Sequence, residues 1–121
     1  MKKLTTVLIA AGLIASASAC SAQQQLTTAE TCDRVGVAAA SIPQNPSQTA
    51  SNRAANAIRP IEPVASTEMK PVVTAILEYL DEQAKEEPTD AAKKAERETK
   101  MQDLTSAFQE AGAKFGELCR G

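Results

Sequence analysis

The stretch MKPVVTAILEYLDEQA, residues 69–84, decides the fold class. Met69, Val72, Val73, Ile76, Leu77, Leu80 and Ala84 recur at spacings of three and four, which lays an apolar stripe along one side of a helix. Ser66 or Thr67 can cap its start, and Pro71 falls in the first turn, where a missing N–H is tolerated. Glu78, Glu82 and Lys85 fall opposite the stripe. A helix with one apolar side must pack on something, so the rest of the chain has to supply its partners.

Downstream, Pro88-Thr89-Asp90 resets the chain and caps a last helix reaching about Cys119. Its second half carries a seam of Met101, Leu104, Phe108, Ala111, Phe115 and Leu118. Projected backward, the seam meets Lys94, Arg97 and Glu98, so the first half is expected to run past the core or to cover it with alanines only. Upstream, Thr27-Thr28-Ala29-Glu30 has capping-box spacing and opens a first helix that ends near Ser41, ahead of Pro43 and Pro46. Cys32, Val35, Gly36 and Ala39 are expected on its packed face. Between these, Ala50, Ala54, Ala57 and Ile61 indicate a short helix over Ser47–Arg59, stopped by Pro60 and Pro63. No stretch alternates apolar and polar as a strand does. The expected fold is all-α, a small bundle of three or four helices.

The chain of 121 residues begins with Lys2 and Lys3, an apolar run over Leu4–Ile14, and small residues Ser16–Ala19. That is a three-part export signal, too short for the roughly 20 residues of a comfortable membrane span. Residues 1–19 are read as a removed signal peptide, 20–26 as an anchor and short tether, and 27–121 as the helical domain. About 100 residues then remain, enough for one small domain. The whole chain has 13 basic and 15 acidic residues, for a net charge of −2, and loss of Lys2 and Lys3 takes this to −4. An acidic balance without basic blocks argues against nucleic acid and anionic lipid as partners, since both are recognised by basic patches.

Ala17-Ser18-Ala19-Cys20 resembles the lipobox of bacterial lipoproteins, with Ala17 where leucine is usual. The resemblance implies cleavage after Ala19 and acylation of Cys20, which would make the lipid bilayer a partner through that residue. Ordinary signal peptidase would cut at the same bond and release a secreted protein. Cysteine parity favours the anchor. With Cys20 acylated, Cys32 and Cys119 remain as one pair, and an exported chain is left with no odd thiol. Their bond requires Cα atoms about 5.5 Å apart. The first and last helices would then be antiparallel neighbours, with Gly36 and Ala39 packed closely against Gly112, Phe115 and Gly116. The spacing Gly112-x-x-x-Gly116 is that of a transmembrane dimer, but Glu110, Lys114 and Glu117 beside it rule that reading out. The chain as a whole resembles small bacterial cell-envelope lipoproteins with a two-cysteine helical domain.

The chain has no histidine, which removes Ser-His-Asp and Cys-His catalysis and most catalytic zinc designs. Glu78, Glu82 and Glu86 are spaced four apart and could collect a hard cation, but no EF-hand spacing accompanies them, so a solvated face is expected. No catalytic, cofactor-binding or metal site is assigned. The function expected is therefore a non-enzymatic, membrane-anchored interaction or scaffold module of the cell envelope, with an envelope protein as partner. Asp90–Lys100 and Ser47–Pro63 are the surfaces to test. The alternative is a lipoprotein that binds a small ligand or cation between the third helix and its neighbours. The address is exported, on the outer face of the cytoplasmic membrane or on the outer membrane.

Overall fold

The computed structural model describes residues 24–44 and 46–120; the leader and Cys20 lie outside the described residues. Among the described residues four α-helices follow one another: α1 (Thr28–Ala40), α2 (Gln48–Ile58), α3 (Lys70–Ala84) and α4 (Ala91–Cys119), with a 3-10 turn at Glu62–Val64. Among the described residues there is no strand. The fold is a small helical bundle closed by a disulfide between its first and last helices.

The helix starts are built as their sequences dictate. Thr27 accepts from Glu30 N–H at 3.2 Å, while the Glu30 carboxylate accepts from Thr27 N–H at 2.8 Å, completing the capping box. Ser47 accepts from Ala50 N–H, and Asp90 from Ala92 N–H. At α3 the regular helix begins at Lys70, yet Ser66 does cap it, its hydroxyl accepting from Met69 N–H at 3.3 Å.

Helix α3 is the centre of the bundle. Val73, Leu77 and Leu80 pack with Val35 and Ala38 of α1 and with Ala54, Ala55 and Ile58 of α2. Met69 and Val72 pack instead with Ala111, Phe115 and Leu118 of α4, beside the disulfide. The apolar stripe is thus wider than one side, because α3 is sandwiched rather than laid on a single partner. Tyr79 stacks on Phe108, ring centroids 4.3 Å apart, further along the same α3–α4 contact.

Helix α2 is fastened to the C-terminal turn of α3 from both of its ends. Gln48 and Arg59, at opposite ends of α2, lie about 16 Å apart along its axis. Yet Gln48 donates to the Lys85 carbonyl and Arg59 to the Asp81 carboxylate, one turn apart on α3.

Cys32 and Cys119 are bonded, with Cα atoms 5.6 Å apart. The close glycine packing expected beyond that bond does not form. A Cβ built on Gly36 or Gly112 would meet nothing within 4 Å, and one on Gly116 meets only the Arg120 guanidinium. The reason is the rotation of α1. Its buried residues are Thr31, Val35 and Ala38, while Ala39 is exposed, so the face it packs with is turned away from Ala39. Among the described residues no helix is long and apolar enough to cross a membrane.

The end of the bundle that carries the disulfide also fastens the incoming chain. Leu26 N–H donates to the Val64 carbonyl at 2.7 Å, and the Gln25 amide donates to Ala65 O and Thr67 Oγ1. Thr28 Oγ1 donates to Ser66 Oγ, and the buried Thr31 hydroxyl accepts from Ser66 N–H. This end is the base. The α3–α4 elbow, Lys85 to Asp90, lies about 22 Å away along α3, the length of its 15 residues.

Candidate functional site

The two surfaces singled out from sequence, Asp90–Lys100 and Ser47–Pro63, meet at the C-terminus of α3. Helix C-termini leave carbonyls without intrahelical donors and carry partial negative charge. Arg97 Nη2 fills that need, donating to Glu82 O at 2.9 Å and Lys85 O at 3.0 Å. Gln48 Nε2 donates to the same Lys85 carbonyl at 3.0 Å. One carbonyl therefore gathers α2 and α4 onto α3.

Beneath this cap sits Glu82, whose side chain is 8% exposed. It accepts from Lys85 Nζ at 2.9 Å and Lys100 Nζ at 2.8 Å, with Arg97 Nε 3.8 Å from its other oxygen. A buried carboxylate survives only when it is paired and hydrogen-bonded, and here two ammonium groups and a guanidinium do this. Hydrogen bonds first from Lys100 and then from Lys85 hold its pKa below the ordinary carboxylate value. The Lys100 ammonium is raised in turn by the hydrogen bond and charge of Glu82. Glu82 thus stays ionised at neutral pH with its acceptors engaged, which suits a clamp and not a proton donor.

This overturns the expectation of a solvated face at one of its three carboxylates: Glu82 is buried, while Glu78 and Glu86 are exposed. Among the described residues no group of three His, Cys, Asp or Glu could hold a metal ion. The first half of α4 is also neither wholly free nor docked by alanines. Ala91–Glu96 are exposed, but Arg97 is half-buried and continues the seam of Met101, Leu104 and Phe108 with charge in place of apolar area. The usable signal was positional: Arg97 stands four residues before Met101, on the seam, at the level where α3 runs out. Of the residues assigned from sequence, Cys32 and Cys119 are brought together, and Cys20 lies outside the described residues.

Clefts open on both sides of Arg97. One, of about 350 Å³, is lined by Gln48, Gln83, Glu87, Lys94, Arg97 and Met101. The other, of about 240 Å³, lies over Glu82, Lys85, Lys93 and Lys100. Gln83 Nε2 is committed to Tyr79 Oη at 3.0 Å and Lys94 pairs loosely with Glu87 at 3.8 Å. The lining side chains are mixed in charge, and several are already bonded to neighbours. Comparison with protein-family models, curated proteins and solved structures finds no match to the chain.

Proposed function

We propose that the chain is a non-enzymatic lipoprotein of the bacterial cell envelope, anchored through acylated Cys20 and acting as an interaction or scaffold module. The observation that carries the reading is the fastening of Gln25 and Leu26 to the Val64–Thr67 linker, beside the disulfide. A domain whose incoming chain is tied at one end is suited to presenting its other end, here the charged elbow, away from an anchor. The mixed charge around Arg97 favours a protein partner over nucleic acid, since no unbroken basic patch is present there.

Two measurements test it. Intact mass of membrane-derived protein should show acylation of Cys20 and, without reductant, two hydrogens fewer than the thiol form at Cys32 and Cys119. Fractionation of Cys20→Ala should move the protein out of the membrane fraction; retention there counts against the anchor. A domain immobilised through its base that captures the same envelope protein as the full chain, and loses it on Lys94→Glu, supports the interaction role.

A second reading, small-ligand binding in the cleft lined by Gln48, Gln83 and Met101, is favoured by the open volume there. A ligand bound only by the folded state raises the melting temperature, so a thermal shift panel separates the two readings.

A further inference from the structure

Val37 of α1 is the exposed large hydrophobic residue among the described residues, with 77% of its surface open. It borders an open groove of about 490 Å³ between α1 and the exit of α2, floored by Ala57, Pro60 and Ile61 and rimmed by Asp33 and Arg34. Nothing in the bundle uses this groove.

The position of the groove relative to the tether points to its occupant. Gln25 is held by Ala65 and Thr67, so only Ser21–Gln24 separate Cys20 from a fixed point. Five residue steps reach at most about 18 Å. Ile61 stands three residues before Val64, to which Leu26 is bonded, or about 6 Å along the 3-10 turn. Val37 lies about 14 Å along α1 from Thr28. The whole groove is therefore within the tether's reach of the anchoring layer, whereas the elbow stands about 22 Å up α3. We propose that this groove face, with Val37 at its crest, is the surface by which the domain rests on the lipid headgroup layer. The inference rests on the acylation of Cys20 proposed above. An apolar floor beside a guanidinium is the chemistry that suits an interface, the aliphatic surface meeting acyl carbons and Arg34 meeting phosphate oxygens.

The test uses the full lipidated chain in phosphatidylcholine vesicles, with and without a lipid carrying a headgroup quencher. Acylated Cys20 and the bonded Cys32 and Cys119 leave an introduced cysteine as the free thiol, so Val37→Cys and Lys94→Cys each take one fluorophore. Both sites are exposed, and circular dichroism checks that both variants stay helical. Intact mass is read first. The label at residue 37 should be quenched severalfold more strongly than the label at residue 94. An acylated chain in which the two are quenched alike overturns the groove assignment and leaves the anchor standing. An unacylated chain overturns the proposed function and this inference together. A detergent-stable dimer that Val37→Glu dissociates assigns the groove to a second copy and overturns the membrane contact.

Discussion

Lys100 Nζ lies 2.8 Å from Glu82 Oε2, fastening α4 to α3 by charge at the point where apolar packing between them ends. Lys85 and Arg97 complete the arrangement. Glu82→Ala removes the acceptor of two charge-assisted hydrogen bonds and leaves Arg97 without a counter-charge. The lysines are more than half exposed and re-solvate, which limits the loss to about 2 kcal/mol. For a domain of this size that lowers Tm by about 10 °C. Glu78→Ala, on the exposed face one turn earlier, should stay within about 0.5 kcal/mol. Thermal unfolding followed at 222 nm by circular dichroism reads both, and equal effects at the two sites would remove the clamp from the account.

The same pair sets a pH dependence. Glu82 titrates lower in the folded state than its ordinary 4.5, so its contribution is complete above that pH and is lost as pH falls through the depressed value. Lys100 titrates higher than its ordinary 10.5, so its contribution is complete below that pH and is lost as pH rises through the raised value. Stability should therefore fall at both extremes, and Glu82→Gln should flatten both limbs. A residual acid slope should persist in that variant. Glu30, held below its ordinary value by the Thr27 backbone and hydroxyl hydrogen bonds of the capping box, supplies it. Denaturant midpoints across the pH range test this, and unaltered limbs in Glu82→Gln would refute it.

Helix positions and caps were legible in the sequence because they rest on local rules. The Thr27–Glu30 box, Ser47, Pro71 and Asp90 act within one turn of themselves. The disulfide was legible by counting cysteines. What was not legible was rotation. A face such as Cys32, Gly36 and Ala39 is defined by spacing alone, whereas the buried set Thr31, Val35 and Ala38 is defined by where α2 and α3 lie. Glu82 was missed for a related reason. Its burial depends on Lys100 and Arg97, fifteen and more residues away, and helical periodicity on α3 says nothing of their arrival.

Reduction should be severe. The bond joins residues 87 apart, and in the chain-entropy model closing such a loop contributes about 4.6 kcal/mol. That is comparable with the whole stability of a small domain, about 5–15 kcal/mol. The core it supports is made largely of alanines and valines, so little apolar area is held in reserve. Cys32→Ser with Cys119→Ser, or reductant on the native chain, should lower the denaturant midpoint by most of its value. Amide exchange should show α1 opening first, since the covalent tie that holds it to α4 is gone, while Leu77 and Leu80 of α3 stay protected longest. Uniform exchange across the four helices after reduction would contradict this ordering.

Two buried hydroxyls should respond oppositely to removal. Ser51 on α2 is fully buried and its Oγ has no hydrogen-bond partner. A buried polar group without a partner carries its desolvation penalty uncompensated. Alanine there removes that penalty and is also the better helix former, so Ser51→Ala should stabilise by about 1 kcal/mol. Thr31 on α1 is equally buried, but its Oγ1 donates to Thr27 O at 2.8 Å and accepts from Ser66 N–H at 3.2 Å. Thr31→Ala strips Ser66 N–H of its acceptor at the base of the bundle and should destabilise by about 1–2 kcal/mol. Denaturant titrations of the two variants beside the parent give the signs directly. Destabilisation by Ser51→Ala would mean that its hydroxyl is satisfied in solution, by a water or by a rotamer reaching the Ser47 carbonyl one turn back.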